Sequence, residues 1–195
     1  MTAPRPTTIP PQGRAAKAAA LHRASVPVID TERLRLRAPR IEDLPLWTAR
    51  YTGPDAVYIG GTFDDPECVA WEEFAYYTGA WMLYGHGLWT AERRADEAAI
   101  GFVHLAVEWD DWEIELGWQL IPKARGQGYG AEMARAARAF GLEMLDTFVS
   151  YIDPENAPSN RLAERIGAHR DTAVEARIAA MEGDGVNVWR HGVAP

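Results

Sequence analysis

The chain has 195 residues, 47% of them hydrophobic and 25% charged, with a formal net charge of −8. This is an ordinary globular composition, long enough to bury a core as one domain, and no apolar run approaches the ~20 residues that a membrane-spanning helix needs. The acidic balance argues against a phosphate-backbone binder, which needs a basic face, so neither nucleic acid nor membrane is expected as a partner.

Four of the 20 basic residues (Arg5, Arg14, Lys17 and Arg23) and none of the 28 acids fall within residues 1–27. The remaining body is therefore more acidic than the whole. That suits a cationic partner such as an amine, or serves solubility alone. A single cysteine, Cys68, cannot close an internal disulfide, and the N-terminus lacks a continuous apolar stretch of the secretory kind. Both features fit a cytoplasmic location.

Residues 1–27 are rich in Pro, Ala and Thr and poor in large apolar side chains. They read as a disordered extension, with at most a transient helix over Ala15–Leu21. Residues 28–195 read as a single domain. Leu34 and Leu36 alternate with Arg33, Arg35 and Arg37 as in a strand. Residues 41–51 suit a short helix. Pro66–Tyr84 suits a longer one, with Cys68, Trp71, Phe74, Ala75, Thr78, Trp81 and Met82 on one stripe. Cys68 on that stripe reads as packing rather than as a nucleophile.

Three strands follow, over residues 88–93, 98–107 and 112–120. In the last, Trp112, Ile114, Leu116, Trp118 and Leu120 share one face, and Glu113, Glu115, Gly117 and Gln119 the other. A helix over 130–145 would bury Met133, Ala137, Phe140 and Met144. A strand over 147–152 leads to a helix over 156–166, capped by Asn156 and ended by Gly167. The tail is expected to add two strands around Gly183-Asp184-Gly185. The order of elements is that of an α+β or mixed α/β fold rather than a doubly wound one.

Between the strand ending at Leu120 and the helix starting at Gly130 lies Arg125-Gly126-Gln127-Gly128-Tyr129-Gly130. A strand, a glycine-rich turn and a helix N-terminus together make an anion site, because the first helical N–H groups lack partners and glycine admits a phosphate close to the backbone. The helix continues with Ala131-Glu132, not Lys-Ser/Thr, so this is no P-loop. Its third glycine is misplaced for a dinucleotide fingerprint. A glycine turn without a ligand also fits the loop taken alone.

Arg125-x-x-Gly128-x-Gly130 resembles the signature of the GNAT superfamily of acyl-CoA-dependent N-acetyltransferases. Glu115-Leu116-Gly117-Trp118, Asn156-Ala157-Pro158-Ser159, Glu164-Arg165-Ile166-Gly167, and Thr31-Glu32-Arg33-Leu34 with Glu42-Asp43 resemble further stretches of that family, over roughly Val28 to Arg190. The likeness is greatest to the branch of ribosomal-protein N-terminal acetyltransferases. The resemblance implies a mostly antiparallel sheet, splayed and bulged at the acyl-CoA site and flanked by helices. It implies that acetyl-CoA is the cosubstrate and that the acceptor is a small-molecule or peptide amine.

By the same resemblance, backbone N–H groups from Arg125 through Gly126, Gln127, Gly128, Tyr129 and Gly130 to Ala131 would bind the pyrophosphate. The backbones of Gln119, Leu120 and Ile121, with Asn156, would hold the pantetheine arm. Glu115 is the first candidate for the base that frees the amine of its proton, with Glu113 on the same strand face competing, and Glu108, Asp110 and Asp111 reading as turn acids. The tyrosine that many relatives use as acid is replaced by Ala163, and Ser159 is the substitute the likeness implies. A catalytically silent CoA-binding module of the same fold is the alternative. The histidines show no metal-ligand spacing, so no metal is expected. The oligomeric state, monomer or homodimer, is not legible.

Overall fold

The computed structural model describes residues 5–59, 61–183 and 185–193. The elements in chain order are α1 (Gly13–Arg23), β1 (Ile29–Asp30), β2 (Leu34–Arg37), α2 (Leu44–Thr52), α3 (Pro66–Tyr84), β3 (Leu88–Arg93), β4 (Ala98–Ala106), β5 (Glu115–Leu120), α4 (Tyr129–Met144), β6 (Thr147–Ile152), α5 (Ala157–Arg165), β7 (His169–Arg170), α6 (Thr172–Glu182) and β8 (Asn187–Gly192). The strands form one sheet in the order β1-β2-β3-β4-β5-β6-β8-β7. Neighbours are antiparallel except β5 and β6, which run parallel and share the single register pair Glu115–Val149. This is the mixed α/β layout that the order of elements implies.

Both faces of the sheet are covered. On one, Met133, Ala134 and Ala137 of α4 pack on Leu34, Leu36, Trp89, Val103, Leu105, Leu116 and Phe148. On the other, Trp47 of α2 and Phe74 and Tyr77 of α3 pack on Leu88, Phe102 and Ala106. Alternation along β4 thus sends Val103 and Leu105 to α4, and Phe102, His104 and Ala106 to α2 and α3. The register pairs Phe102, His104 and Ala106 with Gln119, Gly117 and Glu115, so these β5 residues share the α2/α3 face.

Two buried ion networks pin the layers. Arg37 on β2 holds Asp43 through both carboxylate oxygens (2.8 and 3.0 Å) and Glu92 of β3 at 2.6 Å, while Thr90 also donates to Asp43. Arg190 on β8, fully buried, holds Glu113 by two bonds of 2.7 Å and Asp171 by one of 2.6 Å. Each guanidinium is matched by carboxylates that satisfy its donors, the condition under which a buried charge is tolerated.

Several expectations change. The segment expected to be a disordered extension carries α1, whose alanines favour helix intrinsically. None of its residues is buried, and packing starts only at Val26, with Pro27 O accepting from Trp89 Nε1 at 2.8 Å. α3 has the expected bounds but a different inner face. Ala70, Phe74, Tyr77 and Ala80 are buried, whereas Cys68, Trp71, Ala75 and Met82 are exposed. The helix is apolar on nearly every side, so periodicity alone could not choose its face. The buried seam of α4 is Met133, Ala134, Ala137 and Gly141, with Phe140 half-buried and Met144 exposed. Gly141 is needed because a Cβ there would lie 2.8 Å from the Phe148 ring. In the tail, α6 replaces the first of two expected strands: Asp171 caps it by accepting from Val174 N, and Gly183 ends it at φ +83°. Asp184 lies outside the described residues.

The point where β5 and β6 part is held by a hydrogen-bond relay. Arg138 Nε donates to His191 Nδ1 (3.2 Å), so the neutral ring carries its proton on Nε2 and donates it to Ser150 Oγ at 3.0 Å. Ser150 in turn donates to Leu116 O at 2.6 Å. Burial, with Arg138 and His169 nearby, pushes His191 down to about 3 from its ordinary 6.5. Ser150→Ala is expected to cost about 1–3 kcal/mol, since it strands two buried partners. The unfolded chain protonates this ring near pH 6.5 and the folded one only near 3. Stability should therefore fall by up to about 1.4 kcal/mol per pH unit as pH drops between those values. His191→Gln should flatten that slope, and urea unfolding at pH 7, 6 and 5 measures both effects.

Candidate active site

Past the Glu115–Val149 pair, β5 and β6 diverge and leave a cleft of about 630 Å³ between them. No bulge produces the splay. The β4–β5 register runs unbroken from Glu115 to Leu120, and the irregularity of this sheet region lies instead in β3 against β4 at Ala91/Glu92. Ile121 N donates to Ile100 O of β4, so the alternation turns the backbones of Gln119 and Ile121 toward β4 and those of Leu116, Trp118 and Leu120 toward the gap. Ser150 occupies Leu116 O, and the Arg125 guanidinium occupies Leu120 O (3.1 and 3.0 Å). The Trp118 backbone and the Leu120 N–H are left to face the opening.

The gap ends at the glycine loop. Gly126 and Gly128 adopt φ +73° and +84°, a region that other residues enter at a cost. Gly128 is the N-cap of α4, and the first bond of the helix runs from Glu132 N to Gly128 O at 3.2 Å. The N–H groups of Tyr129, Gly130 and Ala131 therefore precede any intrahelical partner and project from the positive end of a 16-residue helix. Arg125 N is already committed to Pro122 O. Glu132 fastens the loop from behind: it accepts from Thr31 Oγ1 (2.6 Å), Arg33 N (2.8 Å) and Arg33 Nε (2.7 Å). Arg33 also donates to Gln127 O and lies over the Tyr129 ring at 4.5 Å.

Of the residues singled out in the sequence, Glu115, Gln119, Leu120, Arg125, Gly126 and Gly128 line this cleft, as do Gly130, Ala131, Asn156 and Ser159. Ile121, Gln127 and Tyr129 do not. Asn156 caps α5 by accepting from Ser159 N at 3.2 Å, which leaves its amide nitrogen as the free donor. Ala163 is fully buried with Ile152, Ala168 and Trp189, so that position has neither a hydroxyl nor room for a tyrosine. Glu113 is consumed by Arg190. Glu115 is not: its side chain is 21% exposed, and His104 Nε2 lies 3.5 Å from its Oε2. Asp111 accepts from Glu108 N at 2.6 Å as a turn acid does, while the Glu108 carboxylate accepts from the Tyr77 hydroxyl.

Three features escaped the sequence reading. His104 lines the cleft beside Glu115, and Arg50 at the end of α2 and Asp55 and Tyr58 of the α2–α3 connection wall it. Asp55 pairs with the Arg125 guanidinium across the opening. Gln119 Oε1 is buried without a partner. A signal for His104 existed: glycine inside a strand marks a close approach, and a Cβ on Gly117 would lie 2.2 Å from His104 Cε1. Cys68 is exposed and free rather than packed. Among the described residues no group of three or more His, Cys, Asp or Glu could hold a metal ion, and no helix is long and apolar enough to cross a membrane.

Residues 33–169 match the model of the acetyltransferase (GNAT) domain family. The uncharacterized protein YkkB of Bacillus subtilis (strain 168) is 31% identical over 146 residues, which is 71% of this chain and 83% of that protein. The structure is similar to an acetyltransferase from Agrobacterium tumefaciens str. C58, with a TM-score of 0.75 and 32% identity over 86% of this chain and 95% of that one. It shares its fold with RimL, a ribosomal protein alpha-N acetyltransferase solved with coenzyme A, at a TM-score of 0.64 and 16% identity over 86% of this chain and 98% of that one. By its sequence and by the architecture around the diverging strands, the chain belongs to the GNAT acetyltransferase family.

Proposed function

We propose that the protein is an N-acetyltransferase that moves the acetyl group of acetyl-CoA to a primary amine, either a protein N-terminus or a small cationic amine. The observation that carries this reading is the opening between β5 and β6, which begins beneath Glu115 and ends on the unpaired N–H groups of α4. A cleft of about 630 Å³ suits a ligand of that size. The glycines leave the room that a phosphate needs, and no Cβ fills the cradle at Gly126.

Bound acetyl-CoA would supply an electrophilic thioester. The chain would do the rest. Gly126 to Ala131 and the α4 terminus would hold the pyrophosphate, and the gap-facing backbone of β5 would align the pantetheine arm. A free N–H on that strand, at Trp118 or Leu120, would polarise the thioester carbonyl. Glu115 would accept the proton of the attacking amine, whose nitrogen lone pair forms the new C–N bond as the C–S bond breaks. The Ser159 hydroxyl would return a proton to the departing sulfur. An acidic body and a carboxylate at the site favour a cationic acceptor. The lone Cys68, exposed, suits a reducing cytoplasm.

The buried Ala163 in place of a hydroxyl keeps a second reading alive, a module that binds CoA without turnover. Two measurements separate them. Acetyl-CoA and CoA, but not ATP or NAD, should raise the unfolding midpoint, by the equivalent of about 2.7 kcal/mol at a hundredfold excess over Kd. Gly128→Ala should weaken binding at least tenfold, since its φ of +84° and the Arg33 Nη2 3.3 Å from an added Cβ leave little freedom. With an amine panel, Glu115→Gln should lower kcat about 10²-fold or more, with KM for acetyl-CoA nearly unchanged. Binding without turnover of any amine would leave the module reading standing.

A further inference from the structure

His104 is 4% exposed, and its Nε2 is buried without a hydrogen-bond partner. An imidazole nitrogen left unpaired inside a protein is costly, and here the whole setting holds the ring in place. Tyr77 of α3 stacks on it, with centroids 4.5 Å apart and planes 12° apart. The opposite strand carries Gly117, where any side chain would collide with the ring: a Cβ would lie 2.2 Å from Cε1 and 2.4 Å from Nε2. Burial keeps the Tyr77 phenol protonated well above its ordinary range, so its hydroxyl stays a donor to Glu108. The ring can neither tilt nor withdraw. Its Nε2 lies 3.5 Å from Glu115 Oε2, at the edge of the cleft.

We infer that His104 is a positioning residue for Glu115: its Nε2–H donates to one carboxylate oxygen and leaves the other turned to the incoming amine. This rests on the reading of Glu115 as base. The present separation is long for a hydrogen bond, as such contacts often are before substrate binds. The charged or titratable groups around the pair include Arg50 from α2, Glu73 and Tyr77 from α3, Glu108 and Asp111 from the turn after β4, and Tyr151 from β6. Burial pushes Asp111 up to about 6, with Glu115 and Glu108 adding to the effect. His104 is thus a donor set among acids, and only Glu115 among those acids lines the cleft.

Two neutral replacements discriminate. His104→Gln places an amide N–H where Nε2 stood. His104→Asn places it nearer the Nδ1 position and should lose the bond. His104→Asn should lower kcat about tenfold, a fraction of the 10²–10⁴ expected for removing a base outright. It should leave KM for acetyl-CoA and the acetyl-CoA midpoint shift unchanged, and should move the acid limb of kcat/KM to higher pH, because the carboxylate loses a donor to its charged form. His104→Gln should stay within about threefold of the parent. In the unliganded parent protein, ring 15N shifts should show the proton on Nε2, and Glu115→Gln should perturb that signal. A proton on Nδ1, or Asn and Gln variants with equal kcat and equal limbs, overturns the inference even where Glu115→Gln is inactive. Full activity in Glu115→Gln overturns the base reading itself, and this inference with it.

Discussion

The cleft exists because one parallel strand pair closes at a single point and then opens. β5 and β6 meet at Glu115 and Val149, and beyond that pair the sheet has backbone groups with no strand to bond. Such groups are costly when buried. The relay from Arg138 through His191 and Ser150 to Leu116 O removes the first of them. The Arg125 guanidinium removes another at Leu120 O. Between the two, a short stretch of β5 backbone stays open. The splay is thus bounded at both ends by side chains acting as stand-ins for a missing strand, and the β5 backbone proposed to align the pantetheine arm lies between those stops.

The same divergence sorts the chemistry by face. Alternation turns Leu116, Trp118 and Leu120 toward α4, where they complete the core, and Glu115, Gly117 and Gln119 toward α2 and α3. The carboxylate at the vertex therefore looks away from the core. Glu113, two residues earlier, meets Arg190 and Asp171's network instead. Two acids in similar sequence surroundings acquire opposite duties, one bound into a buried ion cluster and one left at the rim of a cleft.

At the far end, glycine geometry and a helix terminus combine. Gly126 and Gly128 take left-handed backbone angles that turn the chain into α4 without side chains over the turn. The loop is not self-supporting. Thr31 and Arg33, from the chain entering β2, reach Glu132 and the Gln127 carbonyl, so the first strand hairpin and the glycine loop are fastened together.

Much of this was legible without coordinates. The bounds of α3, β3 and β6 follow from local signals: Pro66 at a helix start, Gly85 at its end, short apolar runs between turns. The glycine loop and the Asn156 cap are local as well, because backbone conformation and nearby hydrogen bonds decide them. What failed was whatever depended on a partner far away. The buried face of α3 could not be chosen, since Trp71, Phe74, Tyr77 and Trp81 are all apolar and only α2 and the sheet select Phe74 and Tyr77. The tail helix carries few large apolar residues, and its Ile178 finds its place only against Val149 and Val188 of β6 and β8. His104 gained its meaning only when β4 met β5 in a register that set it over Gly117 and against Glu115. Sequence alone determined the family, the glycine loop and the order of elements from β2 to α5, which rest on residues close together in the chain. Tertiary structure alone decided which glutamate is free, which histidine stands beside it and where the sheet opens, because those depend on strand register and on pairings between residues tens of positions apart.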